Sequence, residues 1–460
     1  MVEKMWGGRF KKEMDPEILE FSSSISYDKK LAIYDIEGSI AHAKMLGRCK
    51  IIPKNDSAIL VKGLESLKKK LFSGRLDIEE AKYEDIHSAI AFLLKKEIGS
   101  AADKLHTARS RNDQVVLDVR MYCKHAIKEV LSRIKELQVC FLHGAKKLKY
   151  ATMPSYTHLK NAQCILLSHQ LLAYMEMLER DKERLQDCFK RVDVMPLGSV
   201  AHRGSTLPID RFYVAKLLGF AKVSDNSIDA VSDRDFIIEI LSGLAILSMH
   251  LSRIAEDFII WSSDEFGFVE GDDSHYTGSS MMPNKKNPDP FELIRGACGK
   301  IYADLFSVLT MMKGLPLTYN RDMQWDKLPL FDAVETVSKA LHILKKVLYA
   351  VKINEDKLKI ASLNETIFAA DISEYLVAHG YTTVHAHRIA GEIILYSLDK
   401  NKPIKKMSDR ELKNFSTKLN NKIINDLLDP VKSVNRVKSY GGTQSKSVLQ
   451  QIAKWQKRLK

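Results

Sequence analysis

The residues with most chemistry per unit length lie in Gly278-Ser279-Ser280-Met281-Met282-Pro283-Asn284-Lys285-Lys286-Asn287-Pro288-Asp289-Pro290-Phe291-Glu292. Hydroxyls, ammonium groups, amides and carboxylates stand there among flexible glycine and stiff proline. Asp289 suits a helix cap, Pro290 suits the first helical turn, and Glu292 stands three residues after the cap. The stretch therefore reads as an anion-binding loop that ends on the positive pole of a helix. Serine is a poor base unless its alkoxide is stabilised, and Lys285 with the helix terminus could supply that charge. Ser279 is thus a candidate proton acceptor. A solvated, lysine-bearing interhelical loop is the plainer alternative.

Three further polar stretches lie far from this one. In Leu105-His106-Thr107-Ala108-Arg109-Ser110-Arg111-Asn112-Asp113-Gln114, two guanidinium groups and amides open a proline-free segment. Arginine clasps a carboxylate through two parallel hydrogen bonds, and helix-initial N–H groups suit the same guest. Alternatively Ser110 and Asp113 cap the helix while the arginines face water. In Met153-Pro154-Ser155-Tyr156-Thr157-His158-Leu159-Lys160, Thr157 offers a hydroxyl and His158 a side chain able to move protons near neutral pH. A cap with a surface histidine competes with that reading. The third, Thr318 to Lys327, reads as a polar loop between two helices.

Gly-Ser-Ser-Met-Met-Pro-Asn-Lys-Lys-Asn-Pro at 278–288 resembles the signature of the fumarase/aspartase superfamily, whose members eliminate fumarate from succinyl adducts. His106 to Asp113 resembles the His-Thr-Gly-Arg-Ser-Arg-Asn-Asp pattern of the argininosuccinate lyase family, with Ala108 in place of glycine. Met5-Trp6-Gly7-Gly8-Arg9-Phe10, Phe21 to Asp28, Glu84-Asp85-Ile86-His87 and Val231 to Phe236 fit the same family, so the resemblance runs from Met5 to about Gly442. It implies Ser279, His158, Lys285 and Glu292 as catalytic residues, with Glu292 orienting or charging His158. As substrate ligands it implies Ser24, Asp28, His87, Arg111, Asn112, Thr157, Arg234, Asn287, Tyr319, Gln324 and Lys327, with Asp28 toward the guanidinium end.

The same resemblance implies argininosuccinate as substrate, arginine and fumarate as products, no metal or organic cofactor, and a homotetramer with active sites shared between subunits. Met195 to Gly204 departs from the family, since Val200, His202 and Arg203 replace smaller residues in a Gly/Ala-rich stretch. A lyase for another succinyl adduct and an inactive helical scaffold are the competing readings.

The elements that must position these residues are legible in the apolar spacing. Val116, Val119, Cys123, Ile127, Val130, Ile134, Leu137, Phe141, Ala145 and Leu148 recur every three or four residues, which predicts one long helix from Arg111. The same pattern runs from Ile237 to Trp261 and from Val334 to Val351, and proline-free helical stretches are predicted over about His158 to Arg191 and Pro290 to Met312. An all-α bundle of five long helices follows. Three domains are expected: 1–108, a central bundle 109–360, and 361–460. Rods of such length leave apolar surface for another subunit to cover.

Composition narrows the partners. The net charge of +13 arises from 71 Lys and Arg against 58 Asp and Glu, with the two signs interspersed, so most of it reads as a solvated face and no nucleic-acid partner is expected. No stretch reads as a membrane span and the first twenty residues lack a secretory signal. The six cysteines are scattered singly. A cytoplasmic protein is the expectation.

Overall fold

The structure is a computed structural model that describes Lys12 and residues 14–460, so the Met5 to Phe10 resemblance lies outside the described residues. Three helices, α1 (Ala32–Arg48), α2 (Lys54–Phe72) and α3 (Ile86–Ile98), precede the longest, α4 (Arg111–Lys147). A hairpin of β1 (Thr152–Thr157) and β2 (Lys160–Leu166) leads into α5 (Leu167–Val192), and α6 (Asp235–Ser262) follows. A short ribbon, β3 (Thr277–Gly278) with β4 (Lys286–Asn287), introduces α7 (Asp289–Met312), and then comes α8 (Lys327–Ala350). Shorter helices close the chain, among them α9 (Ala369–Ala378), α10 (Thr383–Asp399) and α11 (Ser445–Leu459). The fold is all-α, and the described strands form only two-stranded ribbons.

The chain divides into two compact units, one of Met1–Ser132, Asp181–Ser248 and Cys298–Ser338, the other of Arg133–Arg180, Met249–Ala297 and Lys339–Lys460. In the first unit, α1 lies close to α4 because Gly38 has no side chain: a Cβ there would stand 2.8 Å from Leu117 Cδ2. Gly63 of α2 does the same toward α3, where an added Cβ would meet Leu94 and Ile98 at 2.7 Å. Ile36, Leu60, Leu64, Ile90, Leu94 and Val116 are buried around these approaches. Each such side chain contributes about 1.5–3 kcal/mol when fully buried.

The second unit buries Leu137 and Phe141 of α4, Met175 and Leu178 of α5, Ile254 and Phe258 of α6, Phe291 of α7 and Leu344 of α8. The Phe258 and Phe291 rings stack at 5.4 Å between centroids. One stretch of α6 is long and apolar enough to cross a membrane, which the sequence reading did not anticipate, and 61% of that stretch is buried within the protein.

The structure corrects the predicted helix over His158 to Arg191. Residues 160–166 pair antiparallel with 152–157, and the helix begins only at Leu167. The register pairs Thr157 with Lys160, leaving His158 (φ 54°) and Leu159 (φ 57°) as a two-residue turn with both residues left-handed. That is the backbone a tight hairpin of this twist requires, although glycine or asparagine usually supplies it. The Tyr156 ring packs 5.2 Å from that of Phe266, anchoring β1.

Candidate active site

Within the first unit, stretches distant in sequence are sewn together. The Ser24 hydroxyl donates to Asp28 Oδ2 at 2.6 Å, and Asp28 Oδ1 accepts from the Ile86 N–H at 3.1 Å. Ser24 N–H donates to the Glu84 carbonyl at 2.9 Å. Gln324 Nε2 and Arg321 Nη2 both donate to the Ser22 carbonyl, at 3.0 and 2.7 Å. Residues 22–28, 84–87 and 321–324 therefore meet. Burial raises the Asp28 carboxyl above its ordinary range.

The Thr318 to Lys327 stretch is less of a loop than its composition suggests. Arg321–Asp326 forms a 3-10 helix, and Asp326 is fully buried between Arg234 Nε at 2.5 Å and Lys327 Nζ at 2.9 Å. Arg234 also donates to the Asp233 carbonyl at 2.9 Å. Arg234 and Lys327, 2% and 3% exposed, are thus held by one carboxylate that sequence reasoning passed over. Tyr319 shares the surroundings of Asp326, Arg234 and Asp85, and burial raises its phenol pKa.

His87 is buried too. Its Nδ1 stands 2.6 Å from Asp35 Oδ2 and 3.2 Å from Asp118 Oδ2, and Gln114 Nε2 donates to the same Asp35 oxygen at 2.5 Å. Asp35, His87 and Asp118 bring one donor atom each within 4.8 Å, a spacing that could hold a metal ion. Two ligands of one tetrahedral zinc stand about 3.3 Å apart, so the 2.6 Å contact is a hydrogen bond rather than a shared coordination shell. Burial would lower the His87 pKa, but its hydrogen bonds to Asp118 and Asp35 outweigh that and push it up to about 10. Burial and the nearby Asp35 charge raise the Asp118 carboxyl.

At the start of α4, Arg111 keeps 33% of its side chain exposed and is ion-paired with Asp85, the N-cap of α3. Asp113 Oδ1 accepts from the Ser110 N–H at 3.0 Å and Ser110 Oγ from the Asn112 N–H at 3.3 Å, which meets the capping half of the alternative, but Arg109 does not face water and donates to Ser39 Oγ at 2.8 Å. Asn112 Nδ2 donates to the Ala201 carbonyl at 3.2 Å. Ala108 has φ 56°, the left-handed conformation expected where the family carries glycine.

The second unit carries Thr157, His158, Ser279, Lys285, Asn287 and Glu292. Thr157 and His158 are exposed at the hairpin tip. The β3–β4 pairing of Thr277 with Asn287 and Gly278 with Lys286 closes residues 279–285 into a loop, and Thr277 hydrogen-bonds the Asp289 carboxylate. At its mouth, Ser279 Oγ accepts from the Met281 N–H at 3.2 Å and the Met282 N–H at 3.0 Å. Two backbone donors on one hydroxyl oxygen favour its anionic form. Lys285 is exposed, and Met281 is 87% exposed. Glu292 lies 3.9 Å from Arg295, and among the described contacts no hydrogen bond joins Glu292 to His158. The expected pairing of that carboxylate with the imidazole is therefore not made within one chain.

A lyase family profile matches residues 8–303, and an argininosuccinate lyase C-terminal profile matches residues 366–435. The argininosuccinate lyase of Pelotomaculum thermopropionicum is 46% identical over 459 residues, spanning 100% of this chain and 99% of that protein. That of Syntrophus aciditrophicus is 48% identical over 449 residues, 98% of this chain and 95% of the relative. Among solved structures, a variant of EDDS lyase with bound fumarate matches with a TM-score of 0.84 and 25% identity, over 98% of this chain and 91% of that one. A β-carboxy-cis,cis-muconate cycloisomerase from Acinetobacter calcoaceticus, 17% identical with a TM-score of 0.74 over 96% and 98% of the two chains, shares the fold. The chain belongs to the argininosuccinate lyase family of the fumarase/aspartase superfamily, carbon–nitrogen lyases that release fumarate and arginine from argininosuccinate.

Proposed function

We propose that Ser279 is the base of this elimination, a reading carried by the two backbone N–H groups aimed at its oxygen. Ser279 takes the proton from the carbon next to a substrate carboxylate, and the C–H electron pair passes into an enolate-like dianion. Lys285, Asn287 and the loop N–H groups stabilise that charge where it develops. The C–N bond then breaks, its electron pair stays on the guanidino nitrogen, and His158 with Glu292 delivers the proton that nitrogen needs. Ser24, Asp28, His87, Arg111, Asn112, Thr157, Arg234, Tyr319, Gln324 and Lys327 bind or orient the substrate. For His87, Arg234 and Lys327, burial favours an orienting role over direct contact.

A homotetramer with shared active sites belongs to the same proposal. Supporting it, α7 leaves Tyr302, Phe306 and Leu309 exposed at helical spacing, with Leu317 just beyond. The division into 1–108, 109–360 and 361–460 is retained, supported at its last boundary by the C-terminal profile that begins at residue 366. A cytoplasmic location is supported by six free cysteines.

The test is ultraviolet absorbance of fumarate released from argininosuccinate, with adenylosuccinate, aspartate and malate alongside. Release from argininosuccinate alone, lost in Ser279→Ala but with normal substrate binding, supports the proposal. Undiminished release by Ser279→Ala would overturn the base assignment. His158→Asn separates the two proton roles, because loss of leaving-group protonation must not block isotope exchange at the abstracted C–H.

A further inference from the structure

We infer that Asp113 is a positioning residue for substrate binding: its carboxylate fastens the 197–204 turn to the first turn of α4, and so sets the direction of Asn112. Asp113 is fully buried, and each of its described hydrogen bonds is to a backbone N–H. Oδ2 accepts from Gly198 at 2.8 Å and Val200 at 2.7 Å, while Oδ1 accepts from Ser110 at 3.0 Å. One side chain thereby joins segments 85 and 87 residues apart. The adjacent Asn112 returns the link from α4 to the turn, donating to Ala201 O at 3.2 Å.

The turn is held from its far side as well. Arg211 donates to the Leu197 carbonyl at 3.0 Å, to Ser199 Oγ at 3.3 Å and to the Ser224 carbonyl at 3.0 Å. Gly198 has φ 94°, and a Cβ there would stand 2.7 Å from Arg211 Cγ. Val200, a β-branched residue, has φ 56°. Such a conformation is costly and persists only where its surroundings over-determine it. Here the hydrogen bond from the Val200 N–H to Asp113 opposes the strain directly. Without that acceptor the turn relaxes, Ala201 O moves, and Asn112 loses the partner that aims it. The loss falls on substrate binding and not on the proton-transfer groups, which stand on other loops.

This inference rests on the reading of Asn112 as a substrate ligand, and the experiment separates the two. KM and kcat for argininosuccinate are measured on the full-length enzyme, with thermal melting, for Asp113→Asn and Asn112→Ala. Asparagine at 113 presents an NH2 group to one set of N–H donors and cannot accept from them. Asp113→Asn is expected to raise KM about tenfold with kcat within about twofold. An unchanged KM with only a lower melting temperature overturns the inference when Asn112→Ala does raise KM. An unchanged KM in Asn112→Ala overturns the ligand reading instead. Should Asp113→Asn not fold, Gly198→Ala displaces the same turn from the Arg211 side and must raise KM; if it does not, the inference falls.

Discussion

The two units treat their functional side chains in opposite ways. In the first, Ser24, Asp28, His87, Arg234 and Lys327 are buried and bonded to one another's neighbours. In the second, His158, Lys285 and Glu292 stand exposed on a hairpin tip, a loop and the first turn of α7. Buried charges are costly unless paired, so the first set is rigid, with each carboxylate answering a cation or an N–H group. Exposed groups pay no such cost but gain no local dielectric advantage until another surface excludes water. On the proposed assignment, the first unit holds its candidate ligands in fixed positions, while the candidate proton-transfer groups of the second stand open to water.

The contrast is broken first at Ser279. Ser279→Ala is expected to lower kcat by roughly 10³-fold or more, with melting little changed because the described hydrogen bonds of this half-buried hydroxyl are to its own loop. A large fall in melting temperature would show that the loop is structural. In the buried unit the order reverses. Asp326→Ala leaves Arg234 and Lys327 without their shared carboxylate and should cost about 3–5 kcal/mol in chemical denaturation. A loss below about 1 kcal/mol would mean that the pair is solvated in practice.

A smaller effect follows from the His87 cluster. The His87 pKa is raised to about 10 in the folded protein, so its contribution is whole below the ordinary value of about 6.5 and is lost as pH climbs toward 10. Asp118, also raised, holds its proton more tightly folded than unfolded and acts in the same direction. Asp118 is raised from about 3.8 to about 8, so its share is lost between those values and that of His87 between about 6.5 and 10, and stability should fall from about pH 4 to pH 10. Asp118→Asn, which mimics the protonated carboxyl at every pH, should be more stable than the parent near pH 7 and make the decline between about pH 4 and pH 8 shallower, as read from denaturation midpoints at a series of pH values. An equally steep decline would remove Asp118 from the account. The smallest expected effect is at Ala108, where Ala108→Gly relieves a left-handed alanine and should gain up to about 1 kcal/mol, less the added unfolded-state entropy.

Long periodic helices were legible: α4, α6 and α8 lie where the apolar spacing put them. The β1–β2 hairpin was not, because its turn is His158-Leu159 and lacks glycine or asparagine, and its second strand runs without a break into α5. The candidate site was legible as a set of residue types, and its partners were not. Asp326 looks like any loop carboxylate until its burial is known. The donors to Ser279 are backbone N–H groups, which carry no side-chain signal. Asp113 is legible as a capping residue, but its hold on Gly198 and Val200 spans too much sequence to be read from spacing.

The proposed sharing of sites between subunits requires that first-unit ligands of one chain, Arg111 and Asn112 among them, work with Ser279 of another. Inactive Ser279→Ala enzyme and an inactive Asn112→Ala, Arg111→Ala enzyme are denatured together, refolded as a mixture and assayed for fumarate release, with mixed oligomers verified by native mass spectrometry. If the two sets come from different subunits, about a quarter of the sites in an equal random mixture carry neither change, and about a quarter of wild-type activity returns. If both sets come from the same chain, every site carries one change or the other, and verified mixed oligomers with no recovered activity would contradict the account.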